Sequence, residues 1–311
     1  MHTTVTVVIA DAKEGPALTQ AFDEAFAVFE DIDATMNEWK PESALGRINA
    51  QAGGAPVRAE KALCDVLRRS LSAAKRTGGL FDPTWAALRS VWSFGDGEVP
   101  RVPDPAAVKA ACALVSYKDV EVTALQGPDK GACHVRLRRA GMKLGLGGVA
   151  KGWGVDQAVA RLRTRGFSNF FIQAGGDLFF AGKNGDRPWR AGVRDPRGSP
   201  NQTFAMMDVT DRAFSTSGDY EHSFEVDGRR YHHIMDLRTC YPAEASRSAT
   251  VLARTATDAE FLTKAVFIKG GHAGIKLAKS FGAEALIVDS QNAIHLSKAL
   301  VDRVELSAPT P

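Results

Sequence analysis

The sequence predicts an α+β protein with largely antiparallel sheets flanked by helices. Helical periodicity dominates the first part of the chain, and short β-branched and aromatic runs follow one another in the second half. Grouped helices and grouped strands argue against the strict alternation of a doubly wound parallel sheet. The chain shows no internal repeat and no low-complexity linker, so residues 1–311 read as a single domain.

Each element has a local reason. The run TVTVVIA at 4–10 is a short β-branched strand. Leu18, Phe22, Phe26, Phe29 and Ile32 recur at helical spacing, which makes 15–35 an amphipathic helix. A loop containing Pro41 and Gly46 follows, then a helix over 60–76 closed by Gly78 and Gly79. Asp82 is placed to cap a short helix with Pro83 in its first turn. Residues 105–114 form an alanine-rich helix, 118–146 read as short strands with turns, and 150–165 as a helix after glycines. Strands are predicted at 168–173, 177–181, 189–194, 203–209, 212–216, 229–236 and 247–254. Helices at 256–268 and 271–281 and strands at 284–290 and 293–297 complete the chain.

Composition excludes several classes. With 44% hydrophobic and 24% charged residues the chain can bury a sizeable core without a metal or disulfide staple. A net charge of +3 without a long basic block argues against a nucleic-acid track. No apolar run reaches the ~20 residues of a transmembrane helix. No signal peptide is visible after Met1 and His2, which leaves a cytoplasmic and an exported protein both open. Cys64, Cys112, Cys133 and Cys240 show neither CxxC nor zinc spacing, so buried free thiols are expected, with Cys240 beside the candidate site.

Three segments carry chemistry. Gly147 and Gly148 precede Ala150, Lys151 and Gly152 at a helix start, where free N–H groups and a lysine suit an anion; a plain connecting turn with a surface lysine is the alternative. Ala174-Gly175-Gly176-Asp177 lies between two strands, either as a close approach for a ligand or as a hairpin turn or bulge. STSGDYEHSFEVDGRRYHHIMD at 215–236 joins a small-residue turn (Thr216, Ser217, Gly218, Asp219), able to hold an anion, to His232, His233 and Asp236. Histidines adjacent on a strand face opposite ways, so one can be core and one can act as a base oriented by Asp236. Met36 and Trp39 suit a flat heterocycle or the core, and Asp82 suits a helix cap or a ligand.

In this order, MNEWKPESALGRIN (36–49), TGGLFDPTWAALRSVWSFG (77–95), LGGVAKGWGVD (146–156), AGGD (174–177), WRAGVRDPR (189–197), STSGDYE (215–221) and YHHIMDLRT (231–239) resemble the ApbE family of FAD:protein FMN transferases. The resemblance implies a T-fold-like α+β architecture with FAD bound in a cleft. It also implies transfer of FMN from FAD to a Ser or Thr hydroxyl of an acceptor protein, with release of AMP. His233 would be the base, with Asp236 near it. Met36 and Trp39 would flank the flavin, and Asp82, Lys151, residues 174–177 and residues 216–219 would bind the rest of FAD. The family's divalent ion, usually Mg²⁺, would take the Ala150 carbonyl and Glu260 as ligands. Family members are mostly exported.

The chain departs from the family pattern around that ion. Glu260 stands for an aspartate and Lys264 for a threonine; Gly145 stands for an aspartate, Leu237 for a proline and Cys240 for a glycine. Lys264 cannot ligate Mg²⁺. Its ammonium, oriented by Glu260 one turn earlier, could instead replace the cation against the pyrophosphate, or the two form an ordinary exposed pair. A non-catalytic FAD-binding protein and an FAD pyrophosphatase giving FMN and AMP are the alternative functions.

Overall fold

A computed structural model describes residues 3–10, 12–95 and 99–310. Met1 and His2, on which the reading of the N-terminus rested, lie outside the described residues. The chain forms two compact units, each built from separated segments. Asp31–Ala150 and His222–Pro242 make the first, and His2–Glu30, Lys151–Glu221 and Ala243–Pro311 the second. The described residues contain the helices α1 (Pro16–Thr35), α2 (Ala44–Ala50), α3 (Lys61–Arg76), α4 (Pro105–Cys112), α5 (Ala150–Thr164), α6 (Ala256–Lys269) and α7 (Gly271–Ser280). None of them is long and apolar enough to cross a membrane.

The second unit is built on a seven-stranded sheet in the order Val5–Ile9, Phe170–Ala174, Asp177–Ala181, Arg212–Gly218, Ser246–Ala253, Glu284–Asp289, Ile294–Leu296. Every neighbouring pair in it is antiparallel, as predicted. Ser246–Ala253 is buried along nearly its whole length, the signature of a strand covered on both faces. α6 covers one face, packing on Arg212–Gly218 and Ser246–Ala253 and against α7. It is buried almost all round, with Phe261, Leu262, Val266 and Phe267 in the core beside the buried polar Thr257, Glu260 and Thr263. Val304–Leu306, Thr203–Val209, Arg187–Arg194 and Lys183–Asn184 form a second sheet. Phe180, Trp189, Phe204, Phe214 and Leu286 fill the core beside it.

The first unit holds a three-stranded sheet, Val57–Ala59, Cys133–Leu137 and Val120–Ala124, with α3 against it. Two hairpins follow, Ser223–Val226 with Arg229–His232 and Met235–Asp236 with Tyr241–Pro242. A small core of Leu88, Trp92, Val108, Ala111, Tyr231, Met235 and Cys240 lies under them.

Several expectations are corrected. The cysteines are paired, Cys64 with Cys133 and Cys112 with Cys240, at Cα separations of 6.0 and 5.8 Å. Partners 69 and 128 residues apart cannot be recognised from spacing. Residues 44–50, read as loop, are α2, capped by the Ser43 hydroxyl on the Gly46 N–H at 2.8 Å. The helix opened by Asp82 is 3₁₀, Pro83–Ser90. The predicted strand 229–236 breaks after His232 and resumes at Met235.

Candidate active site

The glycine segment leads into α5, and the acid at its end does structural work that the sequence reading missed. Asp156 accepts the N–H groups of Ala256 at 2.7 Å and Thr257 at 3.0 Å, and also the Thr257 hydroxyl. A carboxylate at a helix N-terminus satisfies its orphan donors and its dipole, so Asp156 fixes where α6 begins. Gly152 lets the helices meet backbone to backbone, because a Cβ there would strike the Ala256 carbonyl. One turn into α6, Glu260 then reaches α5. Its Oε2 accepts the Gly152 N–H at 2.7 Å and its Oε1 pairs with the Lys151 ammonium.

Lys151 is thus no free surface lysine. It also lies 3.2 Å from Asp177, whose other oxygen accepts the Ser215 hydroxyl at 2.5 Å. Lys264 Nζ stands 4.0 Å from Glu260, a looser tie than that of Lys151. Glu260 is fully buried, whereas the side chains of Lys151 and Lys264 are 22% and 23% exposed. Burial opposes charge on Lys151, but Glu260 and Asp177 overcome it and raise its pKa. Burial lowers the pKa of Lys264 against the weaker pull of the same carboxylates. Burial and then Asp177 push Glu260 up, against both lysines.

The turn Ala174–Asp177 is a tight hairpin, with Ala174 paired to Asp177 and Gly175 at φ +61°. The predicted anion turn at 216–219 is corrected. Thr216, Ser217 and Gly218 lie in the strand Arg212–Gly218, paired with Ser248–Thr250, and the Thr216 and Asp219 N–H groups go to the Gly176 and Arg247 carbonyls. Their side chains bind within the protein: Thr216 to Thr250 at 2.9 Å, and Ser217 to Thr263 at 2.8 Å. Both Asp219 oxygens take the Arg197 guanidinium, each at 2.7 Å.

In the first unit, His232 is buried with 3% exposure and takes the Ile234 N–H on Nδ1 at 3.2 Å, while His233 is half-buried. The strand Arg229–His232 ends before His233, so the two histidines differ in burial rather than by alternation along one strand. The His222 ring lies edge-on to His233 with centroids 5.4 Å apart, a neighbour the sequence reading missed. Asp236 is gripped by Arg238 through both oxygens, at 2.8 and 2.6 Å. Asp82 acts as a cap: one oxygen accepts the Thr84 N–H and hydroxyl, the other the Tyr117 N–H at 2.8 Å, and burial raises its pKa. Met36 is core, 3% exposed, whereas Trp39 is 67% exposed. The Arg89 guanidinium lies 4.4 Å from the ring centres of both Trp39 and Trp85 and pairs with Glu38 at 2.7 Å. That cluster explains Gly145: a side chain there would run into Ala86 at 2.8 Å and crowd Trp85 and Glu38.

Comparisons with known proteins agree with this architecture. A sequence model described as the ApbE family matches residues 1–287. The chain belongs to the ApbE family. It is 35% identical over 298 residues to a Treponema pallidum protein named FAD:protein FMN transferase, covering 92% of this chain and 82% of that one. A Klebsiella pneumoniae protein of the same name is 28% identical, covering 82% and 73%. The crystal structure of an ApbE protein from Thermotoga maritima superposes with a TM-score of 0.84 at 32% identity, covering 96% of this chain and 94% of that one. A flavin transferase ApbE from Vibrio cholerae shares the fold, with a TM-score of 0.80 at 24% identity over 97% and 96% of the chains.

ApbE membership raises the question of a divalent ion. Mg²⁺ asks for hard oxygen donors at about 2.1 Å. Around Glu260 the donors are already taken: Oε1 faces Lys151 and Lys264, and Oε2 holds the Gly152 N–H. The Thr263 hydroxyl donates to the Glu260 carbonyl at 2.8 Å. A cation placed on this carboxylate would meet two ammonium groups, so the Glu260 site does not fit a divalent ion.

Proposed function

We propose that this ApbE-family chain transfers the FMN part of FAD to a Ser or Thr hydroxyl of an acceptor protein and releases AMP. The likeness to FAD:protein FMN transferases across nearly the whole chain carries this reading. In the reaction the acceptor oxygen attacks the FMN phosphorus. The bond from that phosphorus to the bridging oxygen breaks, and AMP leaves with the electron pair. His233 takes the hydroxyl proton, a role suited to a half-buried imidazole near neutral pH. Trp39 offers the flavin an exposed aromatic face.

Lys151 and Lys264 supply the charge that meets the pyrophosphate, and Glu260 and Asp177 hold Lys151 in place. Lys264 is the ammonium less tightly tied within the protein, which supports its role as the cation facing the anionic ligand. Preorganised charge of this kind stabilises a developing phosphoryl charge without solvent rearrangement. The ammonium cluster also supports a second reading, a protein that binds FAD without turning it over.

The test is incubation with FAD and a flavinylation-competent acceptor domain, with and without Mg²⁺ and EDTA, reading AMP and acceptor mass. The expected outcome is one FMN per acceptor with equal AMP, insensitive to EDTA. His233→Ala should lower the rate by about 10²–10⁴, the usual worth of a general base. Bound FAD with no AMP for any acceptor tried would move the protein to the binding reading. AMP without any acceptor would make it a pyrophosphatase.

A further inference from the structure

We propose that the Cys112–Cys240 disulfide is a positioning device for His233, a role that rests on the reading of His233 as the base. Residues 237–240 form the loop between the strands Met235–Asp236 and Tyr241–Pro242. The loop turns on one carbonyl: Asp236 O accepts the N–H groups of Thr239 at 3.0 Å and Cys240 at 2.7 Å. Closing that turn puts Cys240 at φ +59°, a region glycine enters freely and a residue with a Cβ avoids. Two contacts hold the cysteine there. Its carbonyl accepts the Trp92 Nε1–H at 3.0 Å, and its sulfur is bonded to Cys112 at the end of α4. Trp92 stacks on Tyr231 with centroids 5.9 Å apart and meets Tyr241 edge-on at 5.5 Å. The indole and the disulfide therefore bracket the stretch from Tyr231 to Tyr241 that carries His233 and Asp236.

Without the sulfur link, Cys240 is free to leave the left-handed region, and the turn on Asp236 relaxes with it. Reduction does this chemically. An external dithiol breaks the S–S bond, each cysteine sulfur gains one electron and one proton, and the dithiol leaves as a cyclic disulfide. Cys240 is fully buried but Cys112 is half-buried, whereas Cys64 and Cys133 are both fully buried, so mild native-state reduction reaches the Cys112–Cys240 bond first, from the Cys112 side.

The experiment compares three doubly substituted full-length proteins, C112S/C240S, C112S/C240G and C64S/C133S, with the parent. It reads kcat, KM for FAD, and hydrogen exchange at the Thr239 and Cys240-position amides. C112S/C240S should lose about tenfold in kcat with KM for FAD unchanged, the pattern of a misplaced catalytic group. Its two loop amides should exchange faster. C112S/C240G should recover most of the loss, because glycine keeps the turn without a covalent tie. C64S/C133S should leave kcat and the loop amides unchanged. Parental kcat and exchange in C112S/C240S, or an equal kcat loss in C64S/C133S, would overturn the proposal. If C112S/C240S does not fold, mild reduction of the parent gives the same two readouts and decides in the same way. Exchange does not depend on turnover, so a parent that transfers no FMN refutes the role of His233 while the loop amides still report on the tether.

Discussion

At the scale of single residues, Glu260 is where stability and ligand charge meet. Removing one partner of a buried ion pair leaves an uncompensated charge, which costs about 3–5 kcal/mol. Glu260→Ala is therefore expected to lower unfolding free energy by about 3 kcal/mol, measured by urea denaturation, with Lys264→Met costing far less because its tie is 4.0 Å long. Lys264 also predicts a pH dependence. Burial lowers its pKa, so it loses its proton earlier than a free lysine as pH rises. FAD affinity should weaken with rising pH before the ordinary lysine range is reached, and titration calorimetry should find that slope missing in Lys264→Met. Tyr220 sets a separate limit on the fold. Burial raises its phenol to about 12, so the folded state keeps a proton that the unfolded chain gives up near pH 10. The stabilisation is full below pH 10 and is lost as pH rises through about 12. Tyr220→Phe should flatten that part of the alkaline stability curve.

At the scale of elements, the contact of α5 with α6 decides whether the charge cluster exists. Gly152→Ala places a methyl group against the Ala256 carbonyl and should cost about 1–3 kcal/mol by overpacking, with weakened FAD binding as α6 is displaced. Much of the architecture could be read from local chemistry. The strand at 4–10, the Asp82 cap and the antiparallel sheet followed from pattern and capping rules. The hairpin bringing His222 to His233 carried a legible signal that went unused: Asp227 at φ +51° and Gly228 at φ +74° form the two-residue Asp-Gly turn that pairs Val226 with Arg229. The stretch at 216–219 was misread because small polar residues look alike in a turn and in a central strand, and pairing across the sheet decides between them. Asp156 on the α6 terminus and the Glu260–Lys151 pair were not legible, since both join residues about a hundred positions apart.

At the scale of the whole molecule, two covalent links constrain the first unit. Closing loops of this length restricts the unfolded chain by about 4–5 kcal/mol each in the chain-entropy account. Full reduction should therefore lower the first unit's denaturation midpoint, and tryptophan fluorescence can follow it because Trp92 is buried there. Paired cysteines of this kind persist in oxidising compartments.

The pairing order has one more consequence. Cys64 joins Cys133 and Cys112 joins Cys240, so the two loops are interlaced rather than nested or sequential. A chain delivered from its N-terminus into an oxidising space presents Cys64 and Cys112 together before either true partner arrives. The first pair that can form is then the wrong one. Correct assembly requires that thiols wait or that bonds be exchanged, so production of active protein should depend on a disulfide isomerase rather than on an oxidant alone.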